Sequence, residues 1–271
     1  MALENVGDWR PYDVIADRYD EVWGPRFEAV AGHLWALIGV QSAGRVLDIG
    51  TGTGLVPRAL GARASELRCL VGCDRSSRML ARARTAMPNL RVVTGDAADL
   101  PFGTGMFDAA TASFVLSHVL DYRRGLAEVL RVLKPSGVFG GASWAANTDP
   151  YSQAWAQLLA DAVSERAVRA AEGQIAPHEA FFGDASNFET ALAEAGFTAV
   201  AVHTVELDCA FSLELYLRDR ELGSGGRFAR QALGSDGWSR FLASAREKLQ
   251  SQFGSQFSYT RGVLIGVGRR R

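Results

Sequence analysis

A chain of 271 residues, 48% hydrophobic and 22% charged, holds enough apolar material for one large α/β domain, with or without a helical cap. A net charge of -1 at pH 7 argues against a nucleic-acid partner or an anionic membrane surface. Cys69, Cys73 and Cys209 lack metal-ligand spacing with histidine, the polar start MALENVGDWRPYD is no signal peptide, and no apolar run reaches the ~18 residues of a membrane span, so a cytoplasmic, metal-free protein is expected.

Residues 8–40 read as helical. Tyr12, Ile15, Tyr19, Val22 and Trp23 recur at three and four, and Phe27, Val30, Leu34 and Leu37 resume that spacing after Gly24-Pro25. A short buried strand at 45–50 runs into glycines, followed by a helix at 55–63. Strands at 67–73, 90–94, 107–114 and 138–144 alternate with a helix at 76–87, for which Ser76 is the N-cap, and one at 122–133, which stops at the turn cluster Lys134-Pro135-Ser136-Gly137. This alternation predicts a parallel, doubly wound sheet with every strand's carboxyl end on one rim. Beyond Trp144 the pattern loosens into a helix at 151–172, a loop at 173–185 and a helix at 187–195 closed by Gly196. A strand at 198–208, mostly helix at 212–252 and a last strand at 257–267 complete the chain. A single domain over 1–271 is expected, with its core at 41–145 and a helical cap from 8–40, 146–185 and 212–252.

The sharpest feature is Val46-Leu47-Asp48-Ile49-Gly50-Thr51-Gly52-Thr53-Gly54 at the first strand-to-helix turn. Glycines there let the backbone turn and approach a ligand, and the N–H groups and dipole of the next helix favour an anion. Asp48, at the strand end, suits a cationic ammonium better than a pyrophosphate. Gly72-Cys73-Asp74 ends the second strand about 20 residues on, where an acid bonds a ribose diol. Thr94-Gly95-Asp96-Ala97 sets another acid on the rim, within reach of an adenine amine. A ligand with a carboxylate, an amine, a ribose and an adenine fits this set, as S-adenosylmethionine does. A dinucleotide site requires G-x-G-x-x-G, whose third glycine is here Leu55.

These residues resemble the class I S-adenosylmethionine-dependent methyltransferases, particularly the branch of ubiquinone/menaquinone-biosynthesis and natural-product enzymes. The similar blocks are Tyr12-Asp13-Val14-Ile15-Ala16-Asp17-Arg18-Tyr19-Asp20, the Val46 to Gly54 loop, Val71-Gly72-Cys73-Asp74-Arg75-Ser76, Gly95-Asp96-Ala97-Ala98-Asp99-Leu100-Pro101-Phe102 and Leu133-Lys134-Pro135-Ser136-Gly137. The resemblance implies a Rossmann-like, seven-stranded sheet, mostly parallel with an antiparallel last strand. It also implies that Gly50, Thr51 and Gly52 line the methionine part with Ser113 at its end, and that Asp74 takes the ribose hydroxyls. Arg75, Met79, Asp96 and Ala97 would border the adenine, and Tyr12, Tyr19 and Trp23 would close the pocket.

Methyl transfer needs acceptor, methyl and sulfur aligned in a dry pocket, and a base only where the acceptor is a hydroxyl, phenol or acidic carbon. His118, after the fourth strand, is the candidate base, with His178 as runner-up; His33 and His203 read as structural. The aromatic residues Trp144, Trp155, Phe181, Phe182, Phe211, Tyr216 and Trp238 suggest a small, mostly apolar acceptor, quinone-like or a natural product, methylated on oxygen or carbon. Two other readings remain at this stage: a cofactor-binding fold that catalyses a non-methylation reaction such as a cyclisation, and an NAD(P)-dependent oxidoreductase. A monomer or homodimer is expected.

Overall fold

Short apolar runs, most of them ended by a glycine or an acid, fold into seven strands: β1 (Arg45–Ile49), β2 (Cys69–Asp74), β3 (Arg91–Thr94), β4 (Phe107–Ser113), β5 (Leu133–Trp144), β6 (Thr198–Ser212) and β7 (Gln256–Arg269). The structure is a computed structural model describing residues 10–39, 44–146 and 148–271, so the predicted helix at 8–9 and 40 and the start of the core at 41–43 lie outside the described residues. The strands form one sheet in the order β3-β2-β1-β4-β5-β7-β6. The β1 to β5 strands pair in parallel, and β7 runs antiparallel to both its neighbours. This is the doubly wound, Rossmann-like sheet with an antiparallel last strand that the sequence predicts. Chain order reverses beside β1, which lies between β2 and β4, so the carboxyl ends of β1 and β4 flank the switch point where open α/β sheets bind ligands.

Both sheet faces are buried. One packs against the helices Tyr122–Val132 and Ala185–Glu194 through Leu47, Ile49, Ala110, Phe139, Leu126, Phe188 and Leu264. The other packs against the helix Tyr19–Ile38 through Val30, Leu34, Trp35 and Ile38 on Val46, Ala109, Ala142 and Ile265. That helix lies so close to β5 that a Cβ at Gly140 would stand 2.5 Å from Ile38 Cγ2. Beyond β5 the last two strands continue alone as a ribbon, from Glu206↔Gly262 to Ser212↔Gln256. The helices Pro150–Ala162, Glu165–Ile175, Leu213–Leu222 and Ser224–Phe253 bury Trp155, Leu159, Val168, Tyr216, Leu217, Trp238 and Leu249 with Phe257 of this ribbon in a cluster of their own.

Several predicted elements are divided. The 8–40 helix is two pieces, Arg10–Asp13 and Tyr19–Ile38, and it breaks at 14–18 rather than at Gly24-Pro25. The break presses Ile15 and Ala16 into a cluster with Met79 and Leu222. The 55–63 helix is a short α turn, Leu55–Ala59, and a 3-10 segment, Gly61–Glu66. Lys134 to Gly137 is no turn between elements but the irregular start of β5, with Ser136 at φ +64° and Lys134 bonded to Asp108 at 2.7 Å. The 151–172 helix breaks at Val163-Ser164, and the 173–185 loop holds a helical turn, Glu179–Phe182, anchored by the fully buried Phe182 between Tyr122 and Phe188. The 212–252 helix breaks at Gly223 and again at Gly234, which adopts φ +69°. Among the described residues no helix is long and apolar enough to cross a membrane.

Candidate active site

The turn after β1 is built by glycines. Gly50 sits at φ +64°, where an L side chain is strained, and a Cβ there would collide with Val115. Thr51 N–H donates to Cys73 C=O at 3.0 Å, and Gly52 N–H donates to Asp74 Oδ2 at 2.8 Å. Asp74 Oδ1 accepts from Ser76 N–H at 2.8 Å, so one carboxylate holds both the glycine turn and the start of the next helix. Burial raises the Asp74 carboxyl above its ordinary value, against the pull of these N–H groups. The helix after the turn is only five residues long, which leaves little dipole for the anion contact the sequence predicts.

At the rim this turn opens a cavity of about 430 Å³. Its wall includes Tyr12, Tyr19, Gly50, Gly52, Asp74, Arg75, Met79, Asp96, Ala97, Ser113 and His118, which gathers most of the predicted site. Arg75 Nε stands 3.7 Å from Asp96 Oδ2, and Asp96 Oδ1 accepts from Ala98 N–H at 2.8 Å. Met79 is at once wall and core, and the Ser113 hydroxyl is buried without a partner among the described residues.

Asp48 and Thr51 do not reach this wall, a correction to the sequence reading. On a pleated strand Asp48 faces opposite to Ile49, which borders the cavity, and lies beneath the turn. Its Oδ1 accepts from Thr111 Oγ1 at 2.6 Å, while its Oδ2 and Thr51 Oγ1 are buried without partners among the described residues. Burial pushes the Asp48 carboxyl up to about 7 from 3.8, so the folded chain keeps a proton there that the unfolded chain releases. Stability contributed by that proton is therefore lost as pH rises through this window, with a slope of about 1.4 kcal/mol per pH unit. Chemical denaturation of wild type and Asp48→Asn between pH 5 and 8 is expected to show the shallower slope in the variant. Equal slopes would disprove the buried, protonated carboxyl.

The N-terminal segment is tied across the rim by three acids that sequence reasoning treated only as a family block. Asp13 accepts from Ser76 Oγ, Asp17 pairs with Arg78 at 2.9 Å, and Asp20 takes Thr53 Oγ1 and Arg58, the latter at 2.9 Å. Their spacing of four and three was the available signal. The segment so held lays Tyr12 against His118, with ring centres 5.6 Å apart and edge to face. His118 Nδ1 lies 2.9 Å from Ile175 C=O. A carbonyl only accepts, so Nδ1 carries the proton and Nε2 offers its lone pair, on which Tyr12 O–H donates at 3.2 Å. Burial lowers the His118 pKa below the usual 6.5 and raises that of the Tyr12 phenol far above 10, which keeps both groups neutral.

Behind these two rings a second cavity of about 720 Å³ opens beneath the helices of the β6–β7 ribbon. The two cavities share Tyr12, Tyr19, Phe114, His118 and Ile175 as a common wall. Phe114, just past β4, is held at φ +56°, an uncommon conformation for a bulky residue, and its ring packs between Phe27 at 4.7 Å and Trp144 at 4.4 Å. Of the cap aromatics expected from the sequence to shape the acceptor pocket, Trp144 and Trp155 border this cavity. Phe181 and Phe182 pack on Tyr122, and Tyr216 and Trp238 are core. His178 borders neither cavity, and its Nε2 lies 3.0 Å from Leu120 C=O. His33 and His203 are exposed rather than packed.

The cavity also carries charge that sequence reasoning missed: Arg26, Glu172, Glu179, Asp219, Arg220, Arg227 and Arg261. Asp219 is the hub. Its Oδ1 accepts from Trp23 Nε1 at 2.5 Å and Arg26 Nη2 at 2.6 Å, and its Oδ2 accepts from Arg220 Nε at 2.9 Å. The two guanidiniums hold its carboxyl well below the ordinary range despite its burial. Asp219→Ala leaves two cations facing each other and is expected to cost about 3–5 kcal/mol in denaturant unfolding. A loss below about 1 kcal/mol would show that the triad is not structural.

The geometry has counterparts in known proteins. Residues 47–140 match the family described as "Methyltransferase domain". A demethylmenaquinone methyltransferase of Beutenbergia cavernae is 37% identical over 131 residues, 46% of this chain and 53% of that protein. A ubiquinone/menaquinone biosynthesis C-methyltransferase of Citrifermentans bemidjiense is 37% identical over 106 residues, 37% of this chain and 45% of that protein. The chain thus spans about half the length of the curated relatives it matches. Among solved structures, Haemonchus contortus phosphoethanolamine N-methyltransferase 2 in complex with S-adenosyl-L-methionine shares the fold, with a TM-score of 0.57 at 18% identity over 95% of this chain and 57% of that one.

Proposed function

We propose that this chain, whose residues 47–140 match the methyltransferase-domain family, is a class I S-adenosylmethionine-dependent methyltransferase of the ubiquinone and menaquinone branch that methylates a small organic acceptor on oxygen or carbon. The observation that carries the reading is the wall shared by the two cavities, with a neutral His118 in it.

The first cavity suits the cofactor. Its volume lies in the range of small-molecule sites, its rim presents the Asp74 carboxylate, and Ser113 Oγ is a buried hydroxyl in want of a partner. On this reading Asp74 takes the ribose hydroxyls, while Arg75, Met79, Asp96 and Ala97 border the adenine. Gly50, Gly52 and Ser113 border the methionine part, and Asp48 and Thr51 support the turn from below. When bound, the cofactor supplies a methyl carbon already activated by a sulfonium. Tyr12, Tyr19 and Phe114 exclude water from the junction, and the second cavity orients the acceptor against it. His118 Nε2 takes the acceptor proton once Tyr12 O–H gives way to the acceptor, while Nδ1 stays on Ile175 C=O.

The aromatic wall of Phe27, Phe114 and Trp144, together with the quinone-biosynthesis names of the relatives, supports a ring acceptor, quinone-like or a natural product. Calorimetric titration of the ligand-stripped protein with S-adenosylmethionine, S-adenosylhomocysteine and NAD tests the cofactor. Product mass from an acceptor panel then tests the transfer. Micromolar binding of the first two and none of NAD is expected, followed by a methylated product. Binding without any methylated product would favour a non-methylation reaction on the same site, and tighter binding of NAD would overturn the reading.

A further inference from the structure

The acceptor cavity holds a cation that forms no ion pair among the described residues. Arg26 and Arg220 are committed to Asp219. Arg227 is not committed: Nη1 donates to Leu222 C=O at 2.6 Å, and among the described residues it makes no ion pair. Glu172 and Glu179 border the same cavity, and among the described residues neither forms a salt bridge to Arg227. Its charge and the opposite charge of Glu179 are both felt at Tyr12 and His118, which sets Arg227 on the side of the cavity where the acceptor proton would be taken. Arg261 likewise makes no ion pair among the described residues, but its guanidinium is held 4.1 Å over the Trp144 ring, and its Nε is buried without a partner among them. Gly225 and Gly226, both buried, allow close packing beside Arg227: a Cβ at Gly225 would stand 2.5 Å from Glu172 Oε1, and one at Gly226 would collide with Arg220 C=O.

A half-buried guanidinium loses hydration without an offsetting carboxylate, a cost that a ligand anion removes by a charge-assisted, often bidentate contact. We infer that the acceptor is an aromatic or quinone-like ring bearing an anionic substituent, a carboxylate or its equivalent, and that Arg227 recognises that substituent. The inference rests on the proposed methyl transfer and adds to it the acceptor's charge. It also sharpens the sequence expectation of a mostly apolar acceptor, because the ring lies among Phe27, Phe114 and Trp144 while its anion faces the arginine.

The test uses matched pairs of probes that differ only in the carboxylate: hydroxynaphthoate against naphthol, and hydroxybenzoate against phenol. Each is titrated calorimetrically into the whole protein saturated with S-adenosylhomocysteine. Wild type is expected to bind at least one carboxylate roughly tenfold to a hundredfold more tightly than its neutral partner. Arg227→Gln is expected to abolish that preference and Arg227→Lys to restore part of it, with S-adenosylhomocysteine affinity unchanged in both. No carboxylate preference in wild type, or a preference that survives Arg227→Gln, overturns the inference, and the wild-type result stands even if a variant folds poorly. Loss of S-adenosylhomocysteine binding in the folded Arg227→Gln protein would assign the arginine to the cofactor and overturn it as well. Failure of wild type to bind S-adenosylhomocysteine at all would instead remove the methyltransferase reading beneath it.

Discussion

Asp74→Ala is expected to weaken S-adenosylmethionine binding by roughly a hundredfold or more while the protein remains folded. The carboxylate makes two contributions that the substitution removes together. Toward the protein, its two oxygens accept Gly52 N–H and Ser76 N–H, each at 2.8 Å, and so order the glycine turn before any ligand arrives. Toward the ligand, the carboxylate borders the cavity, where the proposed reading gives it the ribose diol. A hydrogen bond to a charged group contributes about 1.5–3 kcal/mol, so two lost to the ribose already exceed a hundredfold. Asp74→Asn is expected to be nearly as damaging, because its NH₂ would meet one of the two backbone N–H donors. Calorimetry with S-adenosylmethionine and S-adenosylhomocysteine measures both variants, with circular dichroism to confirm folding. Affinity within about threefold of wild type would remove Asp74 from the site.

The half of the molecule that holds this carboxylate was legible because its signals are local. Strands β1, β2 and β4 are short apolar runs that end at glycines, acids or small polar residues, and the helix after β2 is announced by Ser76, whose Oγ accepts Met79 N–H at 3.1 Å. Alternating strands and helices then place Asp74, Asp96 and Ser113 on one rim by topology alone. The same reasoning failed one residue before the first strand's end. A strand-end acid looks as if it must meet the ligand, but the pleat turns Asp48 under the glycine loop toward Thr111. Period-two alternation with Ile49 was the cue that would have corrected it.

Past Trp144 the determinants are tertiary. At Val163-Ser164 the local cue is weak, Ser164 as N-cap with Glu165 in the first turn and no glycine or proline, and the division follows from how the two helices meet the cluster around Trp155 and Val168. The helical turn Glu179–Phe182 was hidden for a similar reason: it is too short for periodicity and is held by Phe182 against Tyr122 and Phe188. The charged lining was hidden too. Arg26, Asp219 and Arg227 belong to separate helices, and only the fold brings a full ion triad, and a guanidinium without an ion pair among the described residues, into one cavity. His118 was legible by position, as the histidine after β4, yet its partners Tyr12 and Ile175 lie 106 and 57 residues away in sequence.

Those partners make a definite prediction for His118. His118→Ala is expected to lower turnover by roughly a hundredfold to ten-thousandfold with an acceptor whose reacting atom must lose a proton, and to leave S-adenosylmethionine affinity unchanged. Orientation and charge act together here. Ile175 C=O fixes the proton on Nδ1, Tyr12 marks the place beside Nε2 where an acceptor hydroxyl would sit, and burial holds the ring neutral. Because burial depresses the pKa below 6.5, the base form predominates at and above neutral pH. The ratio kcat/KM is therefore expected to be flat from about pH 7 upward and to fall only as the pH drops below 6.5, with that fall absent in His118→Ala. Protonation in that acidic window also opposes the folded state, since the unfolded histidine takes up its proton first, so the rate must be measured where the protein is still folded. Tyr12→Phe separates the two rings: it frees Nε2 without removing the base and should cost far less than the loss of the imidazole. Turnover close to wild type in His118→Ala at saturating acceptor would show that transfer proceeds by alignment alone, with His118 only part of the wall between the two cavities.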